Sequence, residues 1–526
     1  MKETATACFL LTVIIAAGVF VRASATSEPM WLDECHTAWT IDTESPSTVI
    51  SRAADGNQPP LYFLAVWAVT QLFGVSEFSL RSVSLVASAA LMIVASLWAQ
   101  KLTKHWSAAF LVAGLIAFDG QFIFYATEAR SYSLVQLIGL FQATFFWQLL
   151  ANRFKHEKPK PEAKASEPSA GKPLPFLIAY PAFTLLSIAM LYCHYTSVWL
   201  LAAETSVIIA LAAIDRKFPT AFFFAGIAIV AAMIPTWWNV AEVFNRRSNW
   251  STVSSTRQLW IDVEPWLVHW IMVPLAITFA AWMIGFMQPK AVNPADQRRE
   301  RLLWAWIALW ACIGPIGIAA AELLGVAPMA LVRYSVVCWV AMAIFATLPL
   351  KFLSNRVSWI VATLILGSSF FGNWWTQELN QFRQLPTFRN EDWVSTVSQL
   401  ADSNSTEPVF QFADVIEDID ALTIDDERFQ EYLLFPIRGA EAITGCYRQS
   451  QVVALPTWNP QFTSEHLDWI RAAKGCWLIV RGEVDYALII PDTLERYLDE
   501  PIEFKFIPNE KSLQSQVHLI RVRLSR

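Results

Sequence analysis

Runs of predominantly apolar residues recur through most of this chain, near 6–24, 81–100, 106–124, 131–150, 175–192, 197–213, 218–238, 265–287, 302–321, 334–350 and 357–373. Crossing the hydrocarbon core of a bilayer as a helix takes about 20 such residues. In that medium every backbone N–H and C=O must be satisfied within the protein, which leaves helices and closed barrels as the only spanning structures. The runs therefore predict an all-α polytopic membrane protein of about 11 transmembrane helices. Composition agrees: the 526 residues are 55% apolar and only 16% charged, with 25 Trp and 35 Phe, a balance foreign to ordinary soluble domains. The first run is followed by Ala23-Ser24-Ala25 and also fits a signal peptide; it is read as a span. A lipid bilayer is the implied surrounding, and no nucleic-acid partner is expected.

Orientation follows from the basic residues of the short loops. Lys101, Lys104 and His105 fill one loop. A Pro- and Lys-rich linker over 151–173 forms the next basic stretch, followed by Arg216-Lys217, by Lys290 with Arg298, Arg299 and Arg301, and by Lys351 with Arg356. All fall on one side if each run crosses once, and that side is cytoplasmic. The apolar piece 59–74 is short and opens with Pro59-Pro60. Counting it as a span would put the lysine-rich linker outside, so it is read as a helix on the outer surface. The outer side then holds a long first loop, 25–80, several shorter loops, and the chain after about 374.

Residues 376–526 differ in character. They are charged, contain turn residues, and include short β-type runs such as Cys476-Trp477-Leu478-Ile479-Val480, preceded by helical patterning around Glu391–Leu400. The expected organisation is a transmembrane domain over 1–375 and a small extracytoplasmic α/β domain over 376–526. Cys446 and Cys476 could pair in an oxidising compartment or stay as free thiols. The seven cysteines offer no metal-ligand spacing, and Asp418-Ile419-Asp420 reads as a solvated turn.

Polar residues collect in the outer loops. The first carries Asp33, Glu34, His36, Asp55 and Gln58, and the second runs from Tyr125 to Tyr132 with Glu128 and Arg130. Cys193-His194-Tyr195, Asn245-Arg246-Arg247 and Arg333-Tyr334 follow near later membrane ends. Adjacent carboxylates at a membrane surface are costly to desolvate, so they are either solvated or there for a task. Carboxylates can accept a proton from a hydroxyl, and arginines grip phosphate through forked hydrogen bonds. Both together at headgroup level suit a lipid-phosphate substrate. Taken singly, Glu128 and Arg130 could simply pair, Arg246-Arg247 could meet lipid headgroups, and Arg333 could snorkel.

The order Trp31-Leu32-Asp33-Glu34, Gln58-Pro59-Pro60-Leu61-Tyr62, Phe73-Gly74-Val75-Ser76-Glu77-Phe78-Ser79-Leu80-Arg81 and Tyr125 through Tyr132 resembles the protein O-mannosyltransferase superfamily. Within it the chain is most similar to bacterial family 39-type enzymes, relatives of the lipid A aminoarabinose transferases. The likeness is strong over about 28–150, weaker through Arg333-Tyr334, and absent in the C-terminal part. It implies a C-type glycosyltransferase fold with juxtamembrane helices in the first outer loop. It also implies a polyprenyl-phosphate sugar donor, an acceptor hydroxyl on a protein, lipid or glycan, and no cofactor or metal. Asp33 takes the place of the catalytic carboxylate, with Glu34 beside it. Gln58, Tyr62, Glu128, Arg130, Tyr132, Arg333 and Tyr334 are the expected substrate-binding residues, in a multi-pass protein of the inner (plasma) membrane.

Two other classes compete. A transporter or flippase for a lipid-linked sugar would use ionisable groups inside the membrane, and Glu204 lies within an apolar run. Transporters, however, concentrate such groups near mid-membrane, often in paired repeats, whereas here they lie mainly in outer loops. A non-catalytic sensor would place its work in the C-terminal domain and make Asp33 dispensable.

Overall fold

The computed structural model describes residues 2–155, 176–216, 219–246, 256–283, 294–326, 331–372, 390–403, 405–446, 451–509 and 515–525. Each of the apolar runs falls on helix. Among the described residues seven helices are long and apolar enough to cross a membrane, and one bent pair, Trp106–Phe118 with Gly120–Ala126, meets the same measure taken together. The remaining runs fall on shorter helices, Ile178–Cys193, Val263–Ile277 and Asn355–Phe371. Early in the chain the helices are α1 (Lys2–Ala23), α2 (Leu32–Ile41), α3 (Pro46–Asp55), α4 (Leu61–Phe73), α5 (Glu77–Thr103), α6 (Trp106–Phe118), α7 (Gly120–Ala126) and α8 (Tyr132–Lys155). Helix α4 has 13 residues, about 20 Å at 1.5 Å per residue, against roughly 30 Å of hydrocarbon. It is therefore juxtamembrane, with Leu72 and Phe73 left exposed at its tip. Most of the linker, 156–173, lies outside the described residues.

The run over 106–124 is not one straight helix: α6 and α7 meet at an angle of 65°. Asp119 sits at the corner and makes it, its carboxylate capping the Phe122 N–H at 3.0 Å and accepting from the Trp266 indole at 3.0 Å. Breaking a helix orphans its last carbonyls. Arg22 of α1 repairs that, donating to Ile116 O at 2.7 Å and Ala117 O at 3.0 Å while its Nε reaches Ser88 Oγ. A buried cation here is tolerated because each arm ends on an acceptor.

Indoles fill the bundle core. Trp147 and Trp306 stack 5.8 Å apart and nearly parallel, with Trp98 and Trp310 packed on the same group. The helix Pro294–Leu323 shows how the two ends differ. Ile318 and Ala321 near its C-terminus line a large cavity, whereas near its N-terminus Arg298 pairs with Asp215 and Glu300 with Lys351. From Arg298 to Ala321 is about 34 Å of helix at 1.5 Å per residue. The cavity and the basic loops thus occupy opposite ends of the spans.

The C-terminal part holds a five-stranded sheet in the order β2-β1-β3-β5-β4, with β1 at Val409–Phe412, β2 at Val452–Ala454, β3 at Gly475–Arg481, β4 at Ile502–Ile507 and β5 at Val517–Leu524. β1 runs parallel to both β2 and β3, while β5 is antiparallel to β3 and β4. The four residues of β1 are all buried, as expected for a parallel strand covered on both faces. One face packs with Ile470, Ile490 and Leu494. The other shares its core with the first loop, where Trp393, Tyr432 and Phe435 meet Cys35, Trp39 and Phe63. Cys476 is buried on β3 and Cys446 is exposed, both as free thiols. Asp418 corrects the expected solvated turn: it is 4% exposed, because it accepts from the Thr457 hydroxyl at 2.5 Å.

Helix Phe435–Thr444 presses on α2 at Gly439, where an added Cβ would lie 2.0 Å from the Cys35 carbonyl oxygen. Gly439→Ala should therefore lower stability by about 1–3 kcal/mol, the usual cost of overpacking. Gly226→Ala, in a helix with nothing within 4 Å of the new methyl, should be neutral or slightly stabilising. Thermal unfolding in detergent reads both.

Candidate active site

The site is organised on the first turn of α2, which Asp33 and Glu34 share. Successive helical residues point about 100° apart, and the two carboxylates go to different places. Glu34 is 1% exposed and bidentate on Arg81 of α5, with Nε to Oε1 at 2.7 Å and Nη2 to Oε2 at 2.6 Å. Its Oε1 also accepts the Ala129 N–H at 2.9 Å. Arg81 completes its set on the carbonyls of Glu28 and Pro29.

The loop from Thr127 to Ser131 is thereby fixed through its backbone. Ala129 is gripped at N–H by Glu34 and at C=O by the Thr37 hydroxyl at 2.7 Å. Ser84 donates to Arg130 O at 2.8 Å and is itself hydrogen-bonded to the Tyr62 hydroxyl at 2.8 Å. With its main chain held, Arg130 turns its side chain to Asp33, 3.8 Å from Oδ2, and donates to the Asp33 carbonyl at 3.3 Å. Arg333 donates to the same carboxylate oxygen at 3.2 Å and lies over the Tyr334 ring. Burial raises the pKa of Asp33, but the charges of Arg130 and Arg333 outweigh it and hold the carboxyl below its usual range.

Asp33 opens into a cavity of about 1660 Å³. Of the residues expected to bind substrate, Gln58, Arg130, Tyr132, Arg333 and Tyr334 line it with Asp33. Glu34, Tyr62 and Glu128 do not: Glu34 and Tyr62 are buried in the bonds just described, and buried Glu128 acts on Arg130 through its charge. Arg246 and Arg247 have side chains outside the described residues. On the side of the spans the wall is apolar, with Trp199, Ile229, Met233 and Trp237. His36 and His194 complete the polar end. Burial first, then the nearby charge of Arg130, pushes each imidazole down to about 3, so both are neutral at physiological pH. His36 packs on Gly56, where a Cβ would lie 2.1 Å from its Nε2.

Residues from the C-terminal part also reach the site. Glu391 accepts the Leu32 N–H at 3.0 Å, capping the start of α2 one residue before Asp33. The same carboxylate accepts from the Trp393 indole at 3.0 Å and from Arg481 at 2.9 Å, and Arg481 goes on to Asp414 at 3.3 Å. Glu391, Arg481 and Asp414 stand apart in the sequence without a spacing pattern, and their separation from Asp33 along the chain left nothing to connect them.

No protein-family model and no curated protein matches the chain. Among solved structures it is similar to ArnT from Cupriavidus metallidurans bound to undecaprenyl phosphate, with a TM-score of 0.54 and 11% identity over 99% of this chain and 98% of that one. Against the apo state of the same protein the TM-score is 0.42 at 10% identity, over 98% of each chain. The chain has the C-type glycosyltransferase fold, an all-α membrane body with a small C-terminal α/β portion.

Glu34→Gln should cost about 3–5 kcal/mol, because it leaves the buried Arg81 without its counter-charge. Unfolding in detergent measures it. An unchanged melting temperature would mean that the pair does not hold α2 to α5.

Proposed function

We propose that this protein is a membrane glycosyltransferase that moves a sugar from a polyprenyl-phosphate donor to an acceptor hydroxyl on the extracytoplasmic side of the inner membrane. One observation carries the reading: two guanidiniums converge on the Asp33 carboxylate at one end of a cavity that the spans line with an apolar wall. A solved protein of the same fold binds undecaprenyl phosphate, a ligand with one anionic group on a long apolar tail. Arg130 and Arg333 suit that anion, and Trp199, Ile229, Met233 and Trp237 suit the start of the tail.

In the reaction the acceptor oxygen bonds to the anomeric carbon as the bond from that carbon to the phosphate oxygen breaks. The electron pair leaves with the polyprenyl phosphate, and the acceptor proton passes to Asp33. Arg130 and Arg333 meet the charge that grows on the departing phosphate, with little reorganisation because their places are set beforehand. Without donor, both arginines lean on Asp33 and make it a weak base. A bound phosphate shares their charge, so the Asp33 pKa rises and the carboxylate becomes a better proton acceptor only when a donor is present. Glu34, Tyr62 and Glu128 act as positioning residues for Arg130 and α2. Glu204, the group that favoured transport, hydrogen-bonds the Gln142 amide at 2.7 Å inside the bundle and does not line the cavity.

Asp33→Asn should cut transfer by about 10²–10⁴-fold, the usual cost of losing a general base, with undecaprenyl phosphate binding retained. Near-normal transfer of labelled sugar in purified membranes would move the base elsewhere. Replacing Arg333 by Lys keeps the charge but loses the fork, so turnover should fall although the charge is kept. Transfer at the wild-type rate in that variant would take the phosphate off Arg333. For orientation, exposed Cys446 is a native handle: a membrane-impermeant maleimide should label it in intact spheroplasts. Labelling only after lysis would put the C-terminal sheet on the other side.

A further inference from the structure

The cavity that holds Asp33 has a second polar wall, built by the sheet. Strands β2, β1 and β3 are parallel neighbours in that order. The chain leaves β1 to one side for β2, then crosses to the other side for β3, so the connections diverge above the carboxyl end of β1. In open parallel sheets such a switch point forms a crevice where ligands bind. Here the crevice faces the cavity: Asp414 and Asp418 follow β1, Trp458, Asn459 and Gln461 follow β2, and Arg481 ends β3, all of them on its lining.

This wall is held in place from behind. Asp414 adopts a left-handed backbone with φ of 53°, uncommon for a residue with a Cβ. Its N–H donates to the Thr457 hydroxyl at 2.8 Å, and that hydroxyl donates to buried Asp418. The two loops are thus tied to each other, and Arg481 ties Asp414 to Glu391 and so to the start of α2. Onto this frame Trp458 presents an indole that is 78% exposed and is flanked by Tyr486 at 6.3 Å. A frame of partly buried hydrogen bonds that ends in an indole with its face exposed, beside a carboxylate and two amides, is built to meet something.

We infer that this crevice is a saccharide subsite, in which a sugar ring lays its C–H face on Trp458 and places hydroxyls on Asp414, Asn459 and Gln461. The inference rests on the glycosyl-transfer reading above. An indole face beside acceptor and donor groups matches the two surfaces of a pyranose, one apolar and one ringed with hydroxyls. Asp414 and Glu417 outnumber Arg481 along this wall, which disfavours rings that carry phosphate or carboxylate and admits neutral or amine-bearing ones. The ring belongs either to the acceptor or to the donor, and the chemistry of recognition is the same.

The test uses the full-length protein in nanodiscs and saturation-transfer NMR with methyl glucoside, methyl mannoside, glucosamine and glucose 6-phosphate. The first three should give signals and the phosphate ester a weaker one. Trp458→Ala should weaken saccharide affinity about fivefold or more, on the scale of one lost aromatic contact, while Trp458→Phe and the affinity for undecaprenyl phosphate stay close to wild type. Comparing undecaprenyl phosphate with its hexose conjugates separates the two sources. If Trp458→Ala removes the extra affinity contributed by the hexose, the ring is the donor's; if that increment survives while free glycosides are lost, it is the acceptor's. Saccharide signals absent from the wild type, or unchanged in both Trp458→Ala and Asp414→Asn, would overturn the subsite. Failure of undecaprenyl phosphate to bind the wild type would instead count against the transferase reading itself.

Discussion

The buried pair between Glu34 and Arg81 is the interaction on which the rest of the site depends. Removing two charges from water is expensive, and their mutual attraction repays it only when geometry and further hydrogen bonds are good. Here both conditions hold: the guanidinium meets the carboxylate in a fork and spends its other protons on two carbonyls, and the carboxylate takes a backbone N–H as well. That one knot joins α2, the start of α5 and the loop that carries Arg130. With Glu34 committed to the interior, the turn of the helix sends Asp33 the other way, into the cavity. The Asp-Glu doublet is therefore two devices, one that fixes the helix and one that faces the cavity.

The electrostatics of the cavity follow from what surrounds Asp33. Two arginines stand on one carboxylate, and the two imidazoles nearby are neutral because burial and the same arginines deny them a proton. Around Asp33 the cavity therefore carries positive charge, facing the apolar wall of the spans. Such a pairing suits an anion with an apolar tail.

The apolar runs were legible because bilayer thickness imposes a length that composition alone can reveal, and each falls on helix among the described residues. The short helix α4 was legible for the same reason, since its length falls well below a crossing. The 65° break at Asp119 was not, because hydropathy stays continuous across a corner made by a single side chain. Asp33, Arg130 and Arg333 could be nominated from the order of motifs, yet adjacency gave no direction, and Glu34, Tyr62 and Glu128, nominated with them, lie buried behind the lining. Asp418 was misread for a related reason: a carboxylate in a turn-rich segment is usually solvated, and only the Thr457 hydroxyl explains its burial. Trp458, Arg481 and Glu391 reach the cavity through tertiary packing of the sheet, which no local pattern in the charged C-terminal region encodes.

The capping of α2 by Glu391 has a consequence for the timing of biosynthesis. Leu32 and Glu391 are 359 positions apart in the chain, so at typical elongation speeds of about 5–20 residues per second the ribosome needs roughly 20 to 70 s to supply the cap after the helix has emerged. Arg481, which steadies Glu391, comes later still, and β3 then takes as its partner β5, a strand made after it. A nascent chain with all its spans inserted would still lack a fully held Asp33. The positioning of Asp33 is thus completed only once Glu391 and Arg481 have been made.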